Sequence, residues 1–199
     1  MLFRSTTSMQ SHIAAYLCEI PRGERLARVE SYIVDPPSSF VPAGSPFMLF
    51  FLYEALAKMG RIDLLLADMR RHYGFMIDHE ATTCWEMFPW SGYNENPKLL
   101  TRSHCHAWSA APGYFLGRYM LGVEGLTPGW GKIRIAPHPC GLERARGSVP
   151  LPGGGRVDVS WRADAAGHIA LRVEAPASVE IVAEPPAGHT MSVERADNG

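Results

Sequence analysis

The sequence predicts an α plus β fold in two parts, a helical first part followed by a small antiparallel β-sandwich. Apolar residues recur at helical spacing before Gly129, whereas the chain after it alternates in short runs separated by turns such as "PGGG" and "PPAG". Two consecutive helices in the first part also differ in kind, one apolar on nearly every face and the next on one face only. These observations predict a helical domain over residues 1–128 and a β-domain over residues 129–199.

Five helices are expected in the first part. Met9, Ile13, Tyr16 and Leu17 indicate one near the N-terminus, and Leu26, Val29 and Ile33 indicate a second. The segment "SAAPGYFLGRYMLG" predicts the last, with Pro112 either in its first turn after a Ser109 cap or at a kink. The intervening segment "DPPSSFVPAGSP" is too rich in proline to be a helix.

The third and fourth helices predict a hairpin with an enclosed member. Ser45 and Pro46 form an N-cap and first-turn pair, and "FMLFFLYEALAKM" after them is apolar almost all round, so other helices must enclose it. Beyond Gly60, "RIDLLLADMRRHY" carries one apolar stripe, which consists of Ile62, Leu65, Leu66, Met69 and Tyr73. An enclosed helix joined to a half-exposed one is the unit of a double ring of inner and outer helices.

Five strands are expected in the second part. They are "KIRIAP", "RVDVSW", "HIALRVEA", "SVEIVAE" and "TMSVE". A sandwich this small is near the lower size limit for an independent domain, so we expect it to pack on the helices.

Charge and composition exclude several classes of protein. With 19 basic residues, 20 acidic residues and a net charge of -1, the chain shows no clustered positive charge of the kind that binds nucleic acid or anionic membrane. No apolar run is long enough to cross a bilayer. No signal peptide is visible, and the four cysteines form no C-x-x-C pair, which favours reduced thiols in the cytoplasm.

Glu86 is the first candidate for chemistry. In "TTCWE", Thr82 or Thr83 could cap a helix and leave the carboxylate ionised in its first turn. The alternative is that Glu86 only stabilises that helix. Flat aromatic faces bind the apolar side of sugar rings, and carboxylates beside them bind hydroxyls or activate water. The surrounding aromatic residues therefore favour a carbohydrate site; they are Trp85, Trp90, Tyr93 and Trp108.

His104 and His106 form a second candidate element, in "SHCHAW". A spacing of two residues points both side chains to one side of an extended segment. Without a third ligand nearby, the pair does not predict a metal site. Cys105 would point away from them, which disfavours a thiol nucleophile. The ordinary alternative is a hydrogen-bonded buried pair at a helix start.

Three motifs closely resemble the C-terminal portion of bacterial α-L-rhamnosidases. They are "ATTCWEMF", "SHCHAWSAAPGYFLGRYMLGV" and "LTPGWGKIRIAPHP", in that order along the chain. Earlier segments, "SMQSHIAAYLCEIP" and "GSPFMLFFLYEALAKMGRIDLLL", resemble the preceding helices of that family. The resemblance implies the last helices of an incomplete (α/α)6 six-hairpin toroid, followed by the family's C-terminal β-sandwich.

The resemblance also implies an inverting glycosidase in which Glu86 is the catalytic base and His106 contacts the sugar, with His104 a weaker candidate. Trp85, Trp90 and Trp108 would complete the substrate site. Many members have Asn-His-Tyr where this chain has Cys105, His106 and Ala107, which leaves the identity of the sugar open. Both catalytic groups of this reaction are carboxyls, so no cofactor is expected.

The family's general acid lies in an upstream acidic segment that has no counterpart before Glu86. We therefore expect the chain to be a C-terminal piece that requires an N-terminal partner segment or oligomerises. The alternative to a hydrolase fragment is a non-catalytic carbohydrate-binding or structural remnant.

Overall fold

The computed structural model describes residues 7–88 and 103–197, which fall into two compact units, Met1–Pro112 and Gly113–Gly199. The predicted boundary between residues 128 and 129 stays a prediction. The helices are α1 (Met9–Leu17), α2 (Glu24–Val34), α3 (Pro46–Lys58), α4 (Ile62–Asp78) and the short α5 (Ala111–Phe115). No helix of the described residues is long and apolar enough to span a membrane.

The predicted hairpin is present as α3 and α4, but α3 is not enclosed on every face, because Phe47 is 44% exposed and Met48, Phe50 and Phe51 are only half-buried. The Ser45 hydroxyl accepts the Met48 amide, and Pro46 opens α3, so the helix begins as its cap predicts. The predicted apolar stripe of α4 is buried along its whole length. The two helices are also joined by a hydrogen bond of 2.9 Å from the Tyr53 hydroxyl to Asp68 Oδ2.

The helix predicted to begin at Thr82 or Thr83 is wrong, because residues 81–88 form no helix. The α4 helix ends at Asp78, Glu80 lies in the left-handed region at φ 58°, and the chain then continues in irregular form. The Thr83 hydroxyl donates to the distant His104 carbonyl instead of capping a helix. Backbone groups of this segment find their partners far along the chain, so a helix is not needed to satisfy them.

The last predicted helix is divided into three short pieces. A 3-10 turn, Ala107–Ser109, precedes α5, and a π-turn, Leu116–Met120, follows it. Pro112 is the second residue of α5, where its missing amide hydrogen costs no helical hydrogen bond. Ser109 does not cap this helix through its side chain, because its hydroxyl bonds to the Trp85 carbonyl.

Two sheets form the second unit, in the orders β1-β2-β6 and β3-β4-β5-β7. The strands are β1 (Val123–Gly125), β2 (Lys132–Ile135), β3 (Arg144–Pro150), β4 (Arg156–Ala163), β5 (His168–Glu174), β6 (Glu180–Ala183) and β7 (Thr190–Ala196). The β2–β6 and β5–β7 pairs are parallel, and the other described pairs are antiparallel.

The core of this unit follows the period-two alternation of its strands. On β4 and β5 the inward residues are buried; they are Val157, Val159, Trp161, Ile169, Leu171 and Val173. All five predicted strands are present, whereas β1 and β3 were not predicted. Gly147 on β3 leaves room for Leu121, since a β-carbon there would lie 2.8 Å from the Leu121 side chain.

Candidate active site

The two sequence elements of the predicted site lie side by side. The Glu86 amide donates to the Ser103 carbonyl at 2.9 Å, and the His106 amide donates to the Cys84 carbonyl at 2.9 Å. These bonds bring the Thr-Thr-Cys-Trp-Glu element against the Ser-His-Cys-His element. Backbone hydrogen bonds alone therefore hold the two elements next to each other.

The Glu86 carboxylate lies beside the His106 ring. Glu86 Oε2 is 3.9 Å from His106 Nδ1, and the two side chains are 15% and 34% exposed respectively. This distance is too long for a direct hydrogen bond but short enough for a favourable charge interaction when the imidazole is protonated. Glu86 is thus a partly buried carboxylate with an imidazole close to one of its oxygens.

Trp108 covers the backbone of Glu86. The 3-10 turn after His106 brings the Trp108 indole back, so that its Nε1 donates to the Glu86 carbonyl at 3.1 Å. The Trp108 and His106 rings lie 4.1 Å apart, and Phe47 of α3 lies 5.6 Å from Trp108 on another side. Trp108 remains 43% exposed and Phe47 44%, so they form a partly exposed aromatic surface next to the His106 ring.

Trp85 and His104 lie in a different local environment from Glu86 and His106. The Trp85 indole is only 3% exposed and stacks on His104 at 4.8 Å, with 20° between the ring planes. Both residues line a depression of about 380 Å³ whose lining includes neither Glu86 nor His106. Trp90 and Tyr93 lie outside the described residues.

The two histidines therefore do not contact the same partners, contrary to the expectation of a shared side. Backbone hydrogen bonds join Glu86 to Ser103 and Cys84 to His106. One residue, Trp85, lies between the bonded residues of the first segment, whereas two residues, His104 and Cys105, lie between those of the second segment. The second segment thus carries one extra residue, as in a β-bulge. The extra residue breaks the alternation between His104 and His106.

Ser109, Phe47 and Phe75 belong to the site but were not predicted as members. Ser109 is fully buried, and its hydroxyl donates to the Trp85 carbonyl at 2.7 Å. Phe75 meets the Trp85 indole edge-on at 6.2 Å. A serine before a proline turn and phenylalanines on apolar helices carry no local signal of such contacts, because the contacts depend on how distant segments meet.

The thiol next to the candidate site is a poor nucleophile. Burial raises the pKa of the Cys84 thiol, and the nearby Cys105 raises it further, so the Cys84 sulfur is kept protonated and weakly nucleophilic. Among the described residues, no group of three or more His, Cys, Asp or Glu side chains could hold a metal ion.

Two family models match the chain. The bacterial α-L-rhamnosidase 6 hairpin glycosidase domain matches residues 18–120, and the bacterial α-L-rhamnosidase C-terminal domain matches residues 122–196. No curated protein matches the chain significantly.

Solved structures of rhamnosidases are similar to the chain. A GH78 family rhamnosidase of Bacillus sp. GL1 is 52% identical with a TM-score of 0.89, and the match covers 97% of this chain and 20% of that one. The α-L-rhamnosidase from Dictyoglumus thermophilum is 21% identical with a TM-score of 0.65, over 89% of this chain and 20% of that one. The α-L-rhamnosidase from Aspergillus terreus is 20% identical with a TM-score of 0.69, over 88% and 21%.

At such low identity, the last two matches show a shared fold alone. The chain spans about a fifth of the length of these enzymes. Because the six-hairpin model covers residues 18–120 of 199 and the C-terminal model covers most of the remainder, the chain belongs to the bacterial α-L-rhamnosidase family.

Proposed function

We propose that this chain supplies the base side of the active site of an inverting glycoside hydrolase acting on terminal α-L-rhamnosides. The observation that carries the proposal is the Glu86 carboxylate, with one oxygen 3.9 Å from His106 Nδ1, and the half-exposed Trp108 ring 4.1 Å from the His106 ring. A carboxylate activates water, a polar ring binds a sugar hydroxyl, and a flat aromatic surface packs against the apolar face of a sugar.

In this proposal Glu86 acts as the catalytic base. It removes a proton from a water that attacks the anomeric carbon on the face opposite the leaving group, which inverts the configuration. A separate carboxylic acid, about 6.5–9.5 Å from the base, protonates the glycosidic oxygen. Since Glu86 Oε2 and His106 Nδ1 do not bond directly, a sugar hydroxyl or the attacking water has access to both atoms.

We assign the aromatic residues two different roles. Trp108 is about half-exposed and offers its ring to the apolar face of the sugar, with His106 binding a hydroxyl. Trp85 is almost fully buried, so we propose that it anchors the peptide that carries Glu86. His104 is exposed on top of Trp85, and its predicted sugar contact remains part of the proposal.

A chimera tests the proposal most directly. The chain replaces the corresponding fifth of the Bacillus sp. GL1 rhamnosidase, to which it is 52% identical, and hydrolysis of an aryl α-L-rhamnoside is measured. The chimera should be active, and Glu86→Gln should reduce kcat by at least about a hundredfold, since general-base catalysis contributes roughly 10²–10⁴-fold.

Glu80→Gln is the matched control. Glu80 is an exposed carboxylate on the same irregular segment, and its replacement should leave kcat nearly unchanged. An active chimera in which Glu86→Gln keeps full kcat would contradict the assignment of Glu86 as base.

A non-catalytic carbohydrate-binding role is the second candidate, and the exposed aromatic surface of Trp108 and Phe47 favours it. In that case the chimera would be inactive, yet rhamnose would still change tryptophan fluorescence. Trp108→Ala would then abolish the change in fluorescence, whereas Glu86→Gln would leave it intact.

A further inference from the structure

The outer face of the four-stranded sheet contains a basin bordered by arginines. Its floor consists of the small residues Ser160, Ala170 and Ser192 on three neighbouring strands, and its volume is about 800 Å³. Long side chains on the same face surround this floor, which makes the face concave.

Three arginines on two neighbouring strands meet at the edge of this floor. Arg144 on β3 is paired directly across the strands with Arg162 on β4, and Arg146 is the next residue of β3 on the same face. All three are exposed and line the basin. We call Arg144, Arg146 and Arg162, together with the small-residue floor, the arginine basin.

The arginine basin has an uncompensated positive charge. Like charges directly opposite each other on neighbouring strands destabilise a sheet. In the part of the chain that the structure describes, none of these three guanidinium groups is paired with a carboxylate. Arg172 on the same face is different, because Glu174 and Glu194 bind it at 2.9 and 3.0 Å.

We propose that the arginine basin binds a carboxylate-bearing oligosaccharide. A guanidinium group presents a planar fork of N–H donors that matches a carboxylate in bidentate geometry. The spacing of Arg144 and Arg146 along the strand, about 7 Å, allows adjacent guanidinium groups to bind different groups of one extended chain. The Ser160 hydroxyl and the Ala170 methyl give the floor a polar and an apolar contact, and the Ser192 hydroxyl beside them is hydrogen-bonded to His168 Nε2 at 3.0 Å.

The saccharide part of this inference rests on the proposed glycosidase function, whereas the carboxylate part rests on the basin alone. Arg144 and Arg146 are two residues apart in the sequence, but Arg162 is 18 residues from Arg144, and only the strand register brings it to them.

Binding of an oligogalacturonate to the full chain tests the inference, with the methyl-esterified oligomer as the neutral comparison. The acid should bind and the ester should not, and added salt should weaken the binding. Replacing Arg144, Arg146 and Arg162 together by glutamine should lower the affinity by at least about tenfold, as expected when one or more charge-assisted bonds are lost.

The matched control removes the same charge from the helical unit. Arg25, Arg28 and Arg70 are exposed, and replacing them together by glutamine should leave binding unchanged. Equal binding of acid and ester, equal losses in the two triple variants, or tighter binding of an oligonucleotide or of anionic vesicles than of the oligogalacturonate would overturn the inference.

The two proposals can fail independently. Glu86→Gln should bind the oligogalacturonate as the unaltered chain does, because Glu86 is not part of the basin. If the rhamnosidase chimera is active but the chain does not bind the oligogalacturonate, only the proposed ligand binding by the arginine basin is refuted. Binding that needs the three arginines, together with a chimera that shows no hydrolysis, refutes the proposed function and leaves only the carboxylate part of the inference.

Discussion

Removal of the Ser109 hydroxyl should destabilise the segment that carries Glu86. Ser109 is fully buried, and its hydroxyl donates to the Trp85 carbonyl at 2.7 Å. In Ser109→Ala that carbonyl remains buried without this donor, which costs about 1–3 kcal/mol. For a protein of this size the loss corresponds to a decrease in Tm of roughly 2–12 °C.

Ser31→Ala is a control matched in both chemistry and bond type. The Ser31 hydroxyl also donates to a backbone carbonyl, that of Arg28 at 2.8 Å, but this bond is exposed. Water replaces the lost donor there, and alanine favours the interior of α2, so the Tm should be unchanged or slightly higher. The two variants therefore differ mainly in the burial of the carbonyl that loses its donor.

Thermal unfolding followed by near-UV circular dichroism, at one fixed protein concentration, measures the difference. In the rhamnosidase chimera, Ser109→Ala should also lower kcat more than it raises KM, because Glu86 directly follows Trp85, whose carbonyl loses its hydrogen bond. Equal Tm values for Ser109→Ala and Ser31→Ala would refute the reasoning, since the Ser109 hydroxyl would then not be the donor that holds the two segments together.

Three further predictions concern the unaltered chain. Alone it should not hydrolyse aryl α-L-rhamnosides measurably, and turnover that disappears in Glu86→Gln would contradict this. It should associate, because Ile20, Ile77 and Phe47 are 71%, 73% and 44% exposed, and a monodisperse monomer in light scattering would argue against this. Burial and the charge of Arg134 lower the pKa of His138 below 6.5, so the free energy of unfolding should decrease as pH falls through 6.5. The decrease should be smaller in His138→Gln. An equal dependence of stability on pH in both proteins would contradict this.

The helical hairpin and the inner strands could be predicted from the sequence because their signals are local. Ser45 and Pro46 mark the start of α3, and the alternation of β4 and β5 records which side of the sheet faces the core. These patterns depend on residues a few positions apart, and the packing of the molecule agrees with them. Local propensity and tertiary structure therefore give the same result in these elements.

The helix predicted at Glu86 was wrong because its signals were also local. Thr83 is a good capping residue in isolation, but its hydroxyl donates to the carbonyl of His104, which is 21 residues away. Strand β3 was missed for a related reason. It carries arginines on its outer side and Gly147 on its inner side, so it lacks the apolar alternation that marks a half-buried strand.

The extra residue in the segment from Ser103 to His106 explains why the two histidines of this segment have different neighbours. In a regular pair of strands, His104 and His106 would face the same side and would either both be anchored or both be available. The additional residue instead allows His104 to stack on buried Trp85 while His106 lies next to Glu86. The Trp85–His104 stack joins the two segments close to the proposed site. Trp85 directly precedes Glu86 in the chain, and His104 lies two residues before His106. Buried Trp85, stacked on the exposed His104, therefore lies directly beside Glu86 in the chain, and the His106 and Trp108 rings are free of that stack for their proposed contacts with the sugar.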